Sequence, residues 1–211
     1  MDTNDFKYFP DSFAKTVSAL FHPLFMPVYS MAIIFSAPTL FGYLPFEVKR
    51  ILFLIVLVDN VLLPFILLPL FRYRNIISSW TIDNRRERIV PLIITTLLYS
   101  ITSYIVIRFP VPLFLKSFFI AAFMISLTAT VITFWWKISV HSLGAGALIA
   151  LVLILSHRMY SPLPGYLVAV FFIGGLIMTS RLKLNSHTPA QVWAGFFTGF
   201  LALSLTMLIF Q

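Results

Sequence analysis

Apolar residues run in blocks of about 20, long enough to cross the roughly 30 Å hydrocarbon core of a bilayer, and the blocks recur along nearly the whole chain. The pattern predicts seven of them, at 17–43, 51–71, 89–108, 112–136, 140–157, 162–179 and 190–210, each bounded by Pro, charged or aromatic residues. None shows the polar/apolar alternation of a barrel strand. Because a backbone amide in lipid must find its partner inside the protein, these blocks should be helices. The expected fold is an all-α polytopic membrane bundle of about six to seven transmembrane helices. Residues 1–16 are expected to form a polar or interfacial N-terminal tail and 17–211 a single transmembrane domain.

Composition narrows the function classes. With 60% hydrophobic and only 10% charged residues over 211 positions, neither a soluble nor a monotopic protein is credible. The absence of cysteine excludes disulfides, thiolate metal sites and cysteine nucleophiles. The net charge of +8 suits an anionic partner such as a phosphate head group, and a surface that mostly faces lipid argues against nucleic acid.

Within the blocks, Pro23 and Pro27 should kink the first and Pro64 and Pro69 bend the second. The small residues Gly144-Ala145-Gly146-Ala147 and Gly195 with Gly199 permit close helix approach. Asp59 and Asn60 fall mid-block, so they should face the bundle interior and find a partner, either an Arg of the basic face or His22.

If seven helices alternate, the tail and the loops near 72–88, 137–139 and 180–189 share one membrane face. That face holds Lys7, Lys15, Arg72, Arg74, Arg85, Arg86, Arg88, Lys137, Arg181 and Lys183, whereas the other holds Lys49, Arg50, Arg108, Lys116 and Arg158. Three stretches of the richer face join a loop to a helix. They are Asp83-Asn84-Arg85-Arg86-Glu87-Arg88-Ile89-Val90-Pro91, Lys137-Ile138-Ser139-Val140-His141-Ser142, and Ser180-Arg181 followed after five residues by His187, with Gln191 beyond. Arg grips two phosphate oxygens at once, and His serves as nucleophile or general acid near neutral pH. Taken singly, each histidine could cap a helix and the Arg run could be a charge anchor. Their joint order is the more specific signal.

These stretches resemble the motifs of the type 2 phosphatidic acid phosphatase superfamily, which reads Lys-x6-Arg-Pro, then Pro-Ser-Gly-His, then Ser-Arg-x5-His-x3-Asp. Ser180, Arg181 and His187 fit the third motif, with Gln191 where the family has Asp. Ser139 and His141 fit the second, with Ile138 and Val140 for Pro and Gly, and the run ending in Pro91 suggests the first. The resemblance covers about 83–191, roughly half the chain. It implies an integral membrane lipid phosphatase that works without a metal or other cofactor on a lipid phosphate or isoprenyl diphosphate, in a bacterial inner membrane. By the same resemblance, His187 is the nucleophile forming a phosphohistidine, His141 the general acid and then base, and Gln191 the residue orienting His187. Arg85, Arg86, Arg88, Lys137, Ser139 and Arg181 would bind the substrate. Two further readings use the same residues: a lipid phosphotransferase with an alcohol acceptor, and a catalytically degenerate protein that binds or moves phospholipid, which Gln191 and Val140 permit. A metal site built from Asp83, Glu87, His141 and His187 has no supporting ligand spacing.

Overall fold

The computed structural model describes residues 9–80, 82 and 84–210; Lys7 and Asp83, counted above, lie outside the described residues. The described chain is helical: α1 (Asp11–Leu20), α2 (Met26–Ser36), α3 (Phe46–Val56), α4 (Leu63–Tyr73), α5 (Ile89–Arg108), α6 (Leu113–Thr133), α7 (Val140–Arg158), α8 (Pro164–Lys183) and α9 (Pro189–Ile209). Two pairs are broken spans, α1 with α2 over Asp11–Ser36 and α3 with α4 over Phe46–Tyr73, so seven helical segments are long and apolar enough to cross a membrane. The chain is an all-α, multi-pass integral membrane protein.

Each break has a local cause. Pro23 lacks an amide hydrogen and crowds the residue before it, and His22 is accordingly extended, with ψ 141°, before a short 3₁₀ turn over Pro23–Phe25. The first span starts at Asp11, inside the expected tail, and stops at Ser36, short of the predicted end at 43. Pro38 holds Ala37 extended in the same way, with ψ 144°. In the second span a π-helical stretch, Leu57–Leu62, links α3 to α4. Pro64 cannot bond back to the carbonyl of Asn60, four residues earlier, and the backbone widens where that bond is missing.

Asp59 and Asn60 project from this widened turn, and their partner is neither an Arg nor His22. Thr102 of α5 donates to Asp59 Oδ2 at 3.1 Å and accepts from Asn60 Nδ2 at 3.1 Å. The His22 ring is engaged elsewhere, by Leu24 N and by His141, and Thr102 meets both side chains from α5.

α7 is the central helix, with Leu148, Ile149, Ala150, Leu151, Val152 and Leu155 all buried. It packs on α9 through glycine: a methyl group added at Gly146 would collide with the carbonyl of Phe196, and one added at Gly199 with the carbonyl of Leu143. Such contact brings backbones together and gains dispersion where lipid supplies no hydrophobic drive. α5 and α6 are joined by hydroxyls, with Thr96 Oγ1 2.8 Å from both Ser126 Oγ and Thr130 Oγ1. Phe171, Phe172, Leu201 and Leu205 are exposed, as side chains facing acyl tails should be.

Candidate functional site

The seam between α7 and α9 brings two of the three motif-bearing stretches together. Ser139 caps α7, its Oγ accepting from Ser142 N at 3.4 Å, and Thr188 caps α9 in a reciprocal capping box with Gln191. The two helix starts are joined directly, since Ser139 N donates to the Gln191 carbonyl at 3.3 Å. The seam glycines leave no room to slide, so the position of His141, on the first turn of α7, is set relative to α9.

His187 precedes the α9 cap and is 7% exposed. Gln191 Oε1 lies 3.2 Å from Thr188 N and 3.1 Å from His187 Nδ1. A backbone N–H can only donate, so the Gln191 atom facing it is the oxygen, and His187 Nδ1 must carry its hydrogen to donate to that oxygen. Nε2 is left with its lone pair, which faces Arg88 Nη1 at 3.5 Å. Burial and then the charges of Arg88 and Arg181 push the pKa of His187 down to about 3, against the opposing hydrogen bond to Gln191. The imidazole is neutral at physiological pH, with an available lone pair on Nε2.

A second group forms around Ser18 of α1. His141 Nε2 lies 3.1 Å from the Ser18 carbonyl, and Arg181 Nη1 is 3.4 Å from Ser18 Oγ. Because a carbonyl only accepts, His141 Nε2 bears the hydrogen and Nδ1 the lone pair. The ring of His22 meets that of His141 edge to face, with centroids 5.4 Å apart. Arg181, whose charge reaches His187, is 9% exposed.

A cavity of about 240 Å³ opens beside it. Of its lining, His22, Arg88, His141 and Arg181 stand at or near helix ends, whereas Leu67, Tyr99, Ile125, Ser126 and Leu203 lie farther along the spans. A polar mouth leading into an apolar slot suits a ligand with an anionic head and a hydrocarbon tail.

The structure does not gather every residue singled out in the sequence. Arg85 donates to the carbonyls of Thr133, at 2.9 Å, and Phe134, satisfying the C-terminal end of α6. Arg86 is exposed and does not line the cavity. Ser139 is fully buried under its own helix start, with Oγ 2.9 Å from Ser142 Oγ. Glu87 holds the 78 loop by accepting from Ser78 N at 2.6 Å and Ser78 Oγ at 2.8 Å. Lys137 does not line the cavity, although its charge reaches His187. His187 is one contact removed from the cavity wall, through Arg88. The motif reading missed Ser18 and gave His22 no part in the site. The signal for both is the His22-Pro23 break, which ends α1 beside the polar end of α7.

No family model, no curated protein and no solved structure matches the chain.

Proposed function

We propose that this protein is an integral membrane lipid phosphatase, cleaving a lipid phosphate or diphosphate through a phosphohistidine at His187. One observation carries the reading: a buried, neutral histidine with a fixed Nε2 lone pair stands behind Arg88, one contact from a cavity that Arg88, Arg181 and His141 line. In this mechanism Arg88 exchanges its contact with His187 for a phosphate oxygen, freeing Nε2 to attack phosphorus. Arg181 and Arg88 hold the non-bridging oxygens as charge develops on them, where each fixed donor is worth about 2.7–4 kcal/mol. The bond to the lipid oxygen breaks, and that oxygen takes a proton that the bare Nδ1 of His141 has collected from the substrate phosphate. Water then attacks the phosphorus, its proton passing to His141, and phosphate leaves His187 free. Gln191 keeps the Nδ1 hydrogen in place throughout, as the carboxylate does in other nucleophile–orienter pairs, but without the charge. The resemblance noted above supports the same assignment and favours a bacterial plasma membrane.

The test is phosphate release by the purified protein in nanodiscs across a panel of lipid phosphates and isoprenyl diphosphates. His187→Ala should fold normally and lose more than about 10³-fold in turnover. Wild-type-like release by that variant ends the proposal. Transfer of phosphate to an added alcohol would identify a phosphotransferase, and binding without either product a degenerate lipid binder.

A further inference from the structure

The phosphatase reading gives His22 no task, yet the geometry at this ring is among the most constrained in the site. His22 caps the 3₁₀ turn that follows it: Leu24 N donates to His22 Nδ1 at 3.3 Å. A ring nitrogen that accepts cannot carry a proton, so Nδ1 is bare and the neutral ring must hold its hydrogen on Nε2. The backbone of the turn thus fixes both tautomer and orientation, and directs a donor from the far edge of the ring. His141 is fixed in the opposite sense. Its Nε2 hydrogen is turned to the Ser18 carbonyl, which leaves Nδ1 as an acceptor. Among the described residues neither His22 Nε2 nor His141 Nδ1 has a hydrogen-bond partner in the protein. Both rings line the cavity, with centroids 5.4 Å apart.

One fixed donor beside one fixed acceptor is an unusual lining for an anion site, because a fully ionised phosphate has nothing to donate. A phosphate bearing a single proton fits both: an ionised oxygen accepts from His22 Nε2–H, while the P–OH donates to His141 Nδ1. We propose that His22 is a substrate-binding residue and that the His22–His141 pair selects the singly protonated form of a phosphate group. Arg181 completes the grip on the remaining oxygen. This deepens the phosphatase reading and depends on it only for the name of the substrate, since phosphate recognition is testable without turnover. It also completes the proton inventory of the first step. The P–OH proton passes to His141 Nδ1 and from there to the departing lipid oxygen, while Nε2 of His187 forms its bond to phosphorus and the P–O bond to the lipid breaks. No external acid is required.

Charged and titratable groups facing the pair are Arg181 from α8, Arg88 ahead of α5, and His187 between α8 and α9. Protonation of an imidazole at low pH would also strengthen anion binding, so the experiment must separate the ligand's proton from the protein's. Inorganic phosphate and sulfate do this, because sulfate keeps two charges and no proton throughout. Binding of each to the full-length protein in nanodiscs would be measured by calorimetry at about pH 5.5 and about pH 8.5, either side of the second phosphate ionisation. Phosphate affinity should fall at least about 10-fold at the higher pH, while sulfate stays weak at both. Sulfate gaining in parallel with phosphate overturns the proposal. The second arm is His22→Asn, whose Oδ1 can still accept from Leu24 N and keep the cap while the ring N–H is lost. A purely structural role predicts that Asn restores phosphate binding relative to His22→Ala. The proposal predicts that both variants bind phosphate about 10- to 100-fold more weakly at the lower pH. Wild-type affinity in His22→Asn refutes it, whereas the predicted pH-selective phosphate binding by the native protein, lost in both variants, together with no phosphate release from any lipid would sink the phosphatase and spare the pair.

Discussion

The α7–α9 seam and the α4–α5 side of the cavity are built differently. On one side, α7 and α9 meet with Gly146 and Gly199 against opposing carbonyls, capping hydrogen bonds close both helix starts, and a backbone bond from Ser139 to Gln191 locks them in register. On the other side, α4 and the start of α5 present Pro64, Leu67, Leu68, Phe71 and Leu92 to the cavity, apolar side chains that meet a ligand through dispersion alone. The seam positions His141, Gln191 and His187, where, on the proposed mechanism, an error of an ångström would cost rate. The apolar wall needs only to exclude water and accommodate hydrocarbon. On the proposed function, precision would be concentrated where bonds are made and broken, and tolerance where a tail is stored.

Breaking the seam should have the largest effect. Gly199→Leu places a side chain where even a methyl collides with the Leu143 backbone, and overpacking against backbone relaxes poorly. The variant should yield no monodisperse protein on size exclusion in detergent. Gly175→Leu is the control, because a side chain there meets open space, and it should purify and melt like the wild type. Comparable behaviour of the two would mean that the seam is not close-packed.

Next in size is the contrast between two arginines three residues apart. Arg88→Ala removes a cavity-lining donor 3.5 Å from His187 Nε2 and should lower kcat/KM for a lipid phosphate by about 10²-fold or more. Arg85→Ala removes the two bonds to the end of α6, so it should lower the melting temperature by a few degrees and leave kcat/KM nearly unchanged. Equal kinetic losses would place Arg85 in the binding machinery after all.

These contrasts also show what the chain declares in advance. Span number and helical type are legible because lipid imposes one rule, apolar length, on every block. The convergence of His141 and His187 follows from helix alternation plus two glycine-bearing spans, features visible as Gly144–Ala147 and Gly195–Gly199. The roles of Arg85 and Ser139 are not legible, because a cap and a phosphate ligand use the same side chains at the same helix ends, and only coordinates show which acceptor is nearer. His22 and Ser18 stayed hidden for another reason: the His22-Pro23 pair marks a break after α1, but its docking beside α7, across a sequence separation of more than 100 residues, is not written in any local pattern. The partner of Asp59 is similar, a lone threonine on another span.

The smallest effect concerns the hydrogen bond between Gln191 and His187. His187 has its pKa at about 3 in the folded protein against 6.5 for the free side chain, so on acidification the unfolded chain takes up the proton first. This residue's contribution to stability is therefore complete above pH 6.5 and declines as pH falls toward 3. Gln191→Glu keeps the reach of the side chain and its acceptor for Thr188 N, and adds a negative charge beside Nδ1, which raises the folded-state pKa of His187. The gap between folded and unfolded pKa values narrows. Melting curves between about pH 7 and about pH 5 should thus fall less steeply for Gln191→Glu than for the wild type, by a few degrees at most. An unchanged slope would mean that residue 191 does not act on His187, and the rigid seam would then hold the imidazole in place without setting its proton.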